Sequence, residues 1–338
     1  MNTTAYSILE LAFISEGSNF AEAIRNSLKL AKVAEEKNYK RFWFAEHHNA
    51  EIIASNATVV LIGYIAENTN RIRVGSGGIM LPNHSPLIIA EQFGTLAQMY
   101  PDRIDLGLGR ASGTDPQTAQ AIRPDVTIAA QSFSNEVDRI ETYISVDNKG
   151  SKVRAAIAEG TNVPIYILGS SPDSAHLAAK RGFPYAFASH FAATHLFTAI
   201  NIYREEFQDS AFLKQPYVMA AVNVVVADTD EEAEKIHSSL VKMFYGALTR
   251  TGGALQPPSE MTEELKVAIK HPTLHQMLKY SFVGNKASVK EQTKAFLQAT
   301  KADELIMVST IYGMDDRVKS TRLFAEIMDE INLENQNL

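Results

Sequence analysis

Residues 165–184 read Ile165-Tyr-Ile-Leu-Gly-Ser-Ser-Pro-Asp-Ser-Ala-His-Leu-Ala-Ala-Lys-Arg-Gly-Phe-Pro184. The stretch predicts a buried strand, a tight turn and the start of a helix. Gly169 lets the backbone turn sharply. Ser171 suits an N-cap, Pro172 suits the first helical position, and Gly182 suits the stop. Free backbone N–H groups and the positive helix end would then point into one small space, which suits a phosphate. An ordinary capped helix has the same features. A second segment, Leu106-Gly-Leu-Gly-Arg110, offers an arginine at a similar strand end.

This strand-turn-helix unit recurs along the chain. Apolar runs at 6–12, 41–45, 71–76, 103–108, 163–168, 184–188, 217–226 and 304–309 read as strands. Helical patterns lie between them: Ile24, Leu28 and Ala31 share one face, as do Leu196, Ile200, Tyr203 and Phe207. Near-continuous apolar strands are buried on both faces, which implies a parallel sheet. Eight of them with intervening helices predict an α/β fold, the TIM (β/α)8 barrel. An open doubly wound sheet would need a Gly-x-Gly-x-x-Gly after the first strand, and none is there.

No low-complexity linker divides the chain, so residues 1–338 form one predicted domain. Two stretches, 111–162 and 246–287, are longer than connections need to be. They read as insertions at the C-terminal face of the strands, where barrels build their sites, or as surface decoration. The first holds a predicted helix at 128–144. The second holds Thr251-Gly-Gly-Ala254, Pro257-Pro258 and a predicted helix at 259–269.

The net charge of −7 argues against a nucleic-acid partner, so any anion site must be built locally. The absence of cysteine excludes disulfides, thiolate metal sites and a cysteine nucleophile. No apolar run reaches the roughly 18 residues of a membrane span, and the first residues lack the regions of a signal peptide. A cytoplasmic protein is the expectation. The segment 56–66, Asn-Ala-Thr-Val-Val-Leu-Ile-Gly-Tyr-Ile-Ala, is apolar on nearly every side. An outer helix keeps a polar face toward water, so this one calls for a cover: a partner subunit or the chain's own insertions.

Three further segments would share the mouth of such a barrel. In Glu46-His47-His48, histidine titrates in the physiological range and suits acid–base work, while a buried carboxylate also suits a structural role. Adjacent strand residues point to opposite faces, and no helical His-Glu-x-x-His occurs, so no metal is expected. Gly77-Gly78 marks either a bulge or the close approach of something flat. Ser189, His190 and Phe191 either wall a pocket or end a strand. Arg110 either grips a phosphate beside the Ser171 helix end or makes a surface salt bridge.

Phe42-Trp-Phe-Ala-Glu-His-His48, then Val74-Gly-Ser-Gly-Gly-Ile-Met-Leu-Pro82, then Ala90-Glu-Gln-Phe-Gly-Thr-Leu-Ala-Gln-Met-Tyr-Pro-Asp-Arg-Ile-Asp-Leu-Gly-Leu-Gly-Arg110 resemble the bacterial luciferase-like flavin monooxygenase superfamily. The later Leu168-Gly-Ser-Ser171 and Phe183-Pro-Tyr-Ala-Phe-Ala-Ser-His-Phe191 resemble its branch of oxidoreductases that emit no light. The resemblance covers most of the chain with the motifs in order. It implies a TIM barrel with insertions that binds FMN, reduced by a separate NAD(P)H-dependent reductase, and uses O2 to oxygenate a small organic substrate such as an aldehyde, ketone or sulfonate.

By the same resemblance, Arg110 and the turn Gly169, Ser170, Ser171 and Ser174 bind the FMN phosphate. Gly77-Gly78 bulges under the isoalloxazine, often through a cis bond. The resemblance places His47 near the reacting flavin and substrate; on the residues themselves, Glu46 is expected to join it in catalysis and His48, Ser189, His190 and Phe191 to wall the substrate pocket. The helix 56–66 packs across a homodimer interface. Luciferase has a glutamate where Ser170 falls and a reactive cysteine absent here, so light emission is not implied. A deazaflavin (F420)-dependent dehydrogenase and a non-catalytic flavin-binding protein are the alternative readings.

Overall fold

The structure, a computed structural model, describes residues 3–337. Its ten strands are β1 (Ala5–Glu10), β2 (Arg41–Phe44), β3 (Arg73–Ser76), β4 (Ile79–Met80), β5 (Ile104–Gly109), β6 (Ile165–Gly169), β7 (Tyr185–Phe187), β8 (Val218–Ala227), β9 (Ser281–Asn285) and β10 (Glu304–Val308). Eight of them, β1, β2, β3, β5, β6, β7, β8 and β10, pair in parallel, and β8–β10 and β10–β1 pairing closes the ring. The expected TIM barrel is the fold.

Two strands went unpredicted. β4 continues β3 beyond Gly77-Gly78 and pairs with the end of β5. Gly75 faces Asp105 and Ile79 faces Leu108, so four steps on one strand oppose three on the other. That extra residue is a bulge, and the Gly77–Gly78 peptide within it is cis. β9 lies in the stretch read as an insertion. It pairs with Asn223–Ala227, the half of β8 that runs past the barrel.

The strands form where they do because their side chains have apolar neighbours on both faces. All ten residues of β8 are buried. Outward-facing residues such as Phe42, Val74 and Ile167 pack against the helices, while Leu9, Trp43, Ala186, Met219 and Ile306 fill the interior. The bottom of the barrel is plugged by charge. Arg41, 2% exposed, donates to Asp105 and Glu304 at 2.8 Å each and to the Tyr166 hydroxyl at 2.6 Å. Trp43 Nε1 also donates to Asp105. A paired and hydrogen-bonded cluster tolerates burial, and it leaves the opposite end of the barrel as the open one.

The first insertion carries the helices Pro116–Ile122, Val126–Gln131 and Phe133–Ile144. The predicted helix 128–144 is therefore broken at Ser132, whose hydroxyl donates back to the Ile128 carbonyl at 2.9 Å, competing with the backbone ladder. In the second stretch the preceding helix, Asp230–Thr249, runs on to Arg250 in the left-handed conformation. The predicted helix 259–269 starts instead at Glu263, capped by Thr262, and a further helix spans Pro272–Leu278. This insertion is stitched to the barrel mouth: Leu255 N–H donates to Ile14 O, and Ile14 N–H donates to Ile52 O, both at 2.9 Å.

The apolar helix spans Thr58–Glu67. Leu61, Ile62 and Ile65 are buried within this chain, but Val60 is 70% exposed. On the next helix, Pro86–Met99, Ile88 and Met99 are also exposed. Among the described residues, no helix is long and apolar enough to cross a membrane.

Candidate functional site

A cavity of about 890 Å³ opens at the C-terminal ends of the strands. That falls within the range of small-molecule and cofactor sites, roughly 300–1,000 Å³. His47, Gly77, Arg110, Gly169, Ser170, Ser171, Ser174, His190 and Phe191 all line it. Residues separated by up to 144 positions in sequence thus meet at one mouth because parallel strands deliver their C-terminal ends to the same side. Glu46, His48, Gly78 and Ser189 do not line it; each sits behind the wall.

One corner gathers groups whose chemistry suits an anion. Ser171 precedes the helix Pro172–Arg181 in extended backbone and makes no side-chain cap bond. The N–H groups of a first helical turn have no intrahelical acceptor, so those of Asp173 and Ser174 are not capped by Ser171. Gly169 is required by space: a Cβ there would lie 1.7 Å from Ser174 Oγ. That hydroxyl donates to Ser171 O at 2.9 Å and meets the Tyr185 hydroxyl at 3.0 Å, which fixes the turn. Arg110 Nη1 faces the same turn and pairs with Asp173 Oδ2 at 3.0 Å.

The wall at the bulge is flat. Gly77 N–H donates to Phe44 O at 2.7 Å. A Cβ on Gly77 would come within 2.7 Å of Leu9 Cδ1, and one on Gly78 within 2.7 Å of the Gly107 carbonyl oxygen. The first glycine therefore presents bare backbone to the cavity, and the second lets two strands approach.

His47 comes to the cavity alone, as strand alternation predicts. Neither ring nitrogen has a hydrogen-bond partner among the described residues, and Nδ1 is sealed from solvent. Burial pulls its pKa down, partly opposed by Glu46 and aided by His48. Glu46 points the other way. Its Oε1 accepts from His48 Nε2 and His84 Nε2 at 2.8 Å each, and its Oε2 accepts from Met80 N–H at 3.2 Å. Burial alone would raise the Glu46 pKa, but the two imidazole hydrogen bonds hold it down to about 2. Glu46 is thus the hub that ties the end of β2 to β4. The expected pocket role of His48 gives way to this bond. Glu46, His48 and His84 lie close enough to share a cation, but here they hold one another.

His190 faces the cavity beside His47, and its Nδ1 is also unpartnered. Burial drives its pKa down to about 3, with a smaller contribution from His47. Ser189 instead donates to Ala221 O at 2.6 Å inside the wall.

The profile of the luciferase-like monooxygenase family matches residues 5–304. The chain belongs to that family. A luciferase-like monooxygenase of Escherichia coli (strain K12) is 43% identical over 97% of this chain and 98% of its own. The crystal structure of apo-MsnO8 aligns at TM-score 0.88 and 32% identity, over 96% of this chain and 98% of that one. More distant structures share the fold alone. One is the oxygenating constituent of 3,6-diketocamphane monooxygenase from Pseudomonas putida in complex with FMN (TM-score 0.72, 16% identity). Another is an F420-dependent secondary alcohol dehydrogenase in complex with an F420-acetone adduct (TM-score 0.72, 15% identity); each covers 96% of this chain and 98% of its own.

In this member of the luciferase-like monooxygenase family, several further residues line the cavity that the sequence motifs do not include. Asn223 on β8 donates through Nδ2 to His190 O at 2.6 Å, leaving Oδ1 without a partner. Its signal was a lone polar residue inside an apolar strand. Met243, Phe244 and Ala247 come from the helix Asp230–Thr249, with Gly252, Gly253 and Met277 beyond it. No local pattern marks these, because their place over the mouth follows from the stitching at Leu255.

Proposed function

We propose that this family member is an FMN-dependent monooxygenase of the two-component type, receiving reduced FMN from a separate NAD(P)H-dependent reductase and using O2 to oxygenate a small organic substrate. The observation that carries the reading is the convergence of the anion corner, the bare Gly77 wall and the unpartnered His47 on one cavity. The residues present fit a flavin phosphate: Arg110 and the first turn of the helix Pro172–Arg181 grip it through charge-assisted hydrogen bonds. The bare Gly77 backbone would leave room for a flat ring beside it. When bound, the reduced cofactor supplies the electrons that activate O2. His47, neutral at pH 7, accepts or returns a proton at Nε2. Glu46 fixes the loop that aims it, and the apolar wall excludes water.

The exposed Val60, Ile88 and Met99 support a second part of this reading, a homodimer covering the helix Thr58–Glu67. Fluorescence quenching by the purified protein tests the cofactor: FMN binds, riboflavin binds poorly, and product forms only when reduced FMN and O2 are both present. Tight binding of F420 with hydride transfer in the absence of O2 would establish the dehydrogenase reading instead.

A further inference from the structure

The cavity lining is uneven in charge. Only two of its residues are formally charged, Arg110 and Glu51, and no lysine is among them. Arg110 belongs to the anion corner and is already paired with Asp173. Glu51 is exposed at the rim and has no partner among the described residues. Burial disfavours the cationic form of both imidazoles.

Ring order separates this corner from the rest of the cavity. In the closed ring of eight, β5 lies opposite β10, and β6 lies opposite β1. Arg110 and Ser171 follow β5 and β6. The opposite half is built by segments following β1, β2 and β8, which contribute Phe13, Ile52, Met243, Phe244 and Met277. None of these can neutralise an anion. A sulfonate or carboxylate placed there would lose its hydration with nothing to replace it, and Glu51 would repel it at the entrance. Asn223, His47 and His190 can hydrogen-bond one neutral polar group.

We propose that the substrate of this cavity is an uncharged, mainly apolar molecule carrying a single neutral polar group, and that sulfonates and other anions are rejected. The inference rests on the flavin reading for the assignment of Arg110 to the cofactor. It selects among the aldehyde, ketone and sulfonate classes that the family resemblance left open.

Calorimetry with three probes of equal chain length tests it: octan-2-one, octane-1-sulfonate and octylammonium. The titrations are done on the protein with saturating oxidised FMN, so nothing turns over, and again without FMN in phosphate buffer, which fills the anion corner. Octan-2-one should bind, and octane-1-sulfonate should bind at least about 100-fold more weakly, as expected for a buried unpaired charge. Octylammonium should also lose to the ketone, because no carboxylate lies in the buried wall. Met243→Lys should tighten octane-1-sulfonate about tenfold and weaken the ketone. Sulfonate affinity within tenfold of the ketone, preference for octylammonium, or no ketone binding at millimolar concentration would overturn the proposal. Should Met243→Lys fail to fold by circular dichroism, the wild-type ranking decides alone. If FMN fails to bind but the ranking holds in phosphate buffer, the flavin reading falls and the substrate inference stands.

Discussion

Arg110 Nη1 lies 3.0 Å from Asp173 Oδ2, so the cation of the anion corner is held by a carboxylate from the very helix turn that would meet a phosphate. Both side chains are about half exposed, at 49% and 66%. An exposed pair of this kind contributes about 0–1 kcal/mol. On the proposed flavin reading, a phosphate would have to displace this weak pair, so the carboxylate competes with the ligand for Arg110.

Asp173→Asn removes a negative charge beside the ligand and keeps the side-chain size. FMN should bind roughly two- to fivefold more tightly. Arg110→Ala should weaken FMN by roughly ten- to a hundredfold, the usual contribution of a charge-assisted contact. Fluorescence titration of both variants checks this. If Asp173→Asn weakens FMN as much as Arg110→Ala does, the carboxylate positions Arg110 rather than competing for it.

His47→Ala should lower turnover by about 10²–10⁴-fold, the range for a positioned acid–base group, with little change in FMN affinity because the phosphate corner is remote. His48→Ala removes one donor to Glu46 and should act less severely. Because burial lowers the His47 pKa, the acid limb of kcat/KM should fall below pH 6.5. Single-turnover oxidation of reduced FMN with a working substrate, across pH, reads both effects. Near-normal rates in His47→Ala, or greater damage in His48→Ala, would remove the assignment.

Acid stability should show two groups with depressed pKa values. His190 is about 3 in the fold against an ordinary 6.5, so the unfolded chain takes up its proton first. Stability from its neutrality is complete above pH 6.5 and is lost as pH falls toward 3. Glu46 is about 2 against 4.5. Its contribution, roughly 3 kcal/mol from that difference, is complete above pH 4.5 and disappears as pH falls toward 2. His190→Phe should flatten the decline between pH 6.5 and 4 in urea-unfolding midpoints. Glu46→Gln should lower stability at pH 7 and flatten the decline below 4.5. A wild-type midpoint that stays level from pH 7 to 4 contradicts the His190 assignment.

Val60→Asp should split the proposed homodimer. The residue is 70% exposed, so the charge costs the isolated fold little, whereas Ile62 is fully buried and its substitution would only unfold the chain. Light scattering on folded protein should show the variant as a monomer and the wild type as a dimer. A monomeric wild type at tens of micromolar, roughly where obligate dimers persist, would leave the exposed apolar residues without this explanation.

The barrel was legible because it rests on local physics. Ile165–Leu168 and Val218–Val226 are apolar runs that only a two-sided burial explains, and Ser171-Pro172 and Gly182 mark their helix by backbone rules that need no partner. The meeting of Gly169 and Arg110 was legible for the same reason, since both sit at strand ends that a parallel barrel must bring to one mouth. Side-chain direction was legible only where alternation applies, as for His47 against Glu46 and His48. What the tertiary structure alone decided are long-range pairings. Glu46 is a hub because His84, 38 residues away, reaches its Oε1. Arg41, Asp105 and Glu304 plug the barrel floor because three strands converge there. Asn223, Met243 and Met277 join the cavity because Leu255 bonds to the loop after β1. Such contacts leave no periodic trace in the chain, since their energy depends on distances in space and not on spacing in sequence.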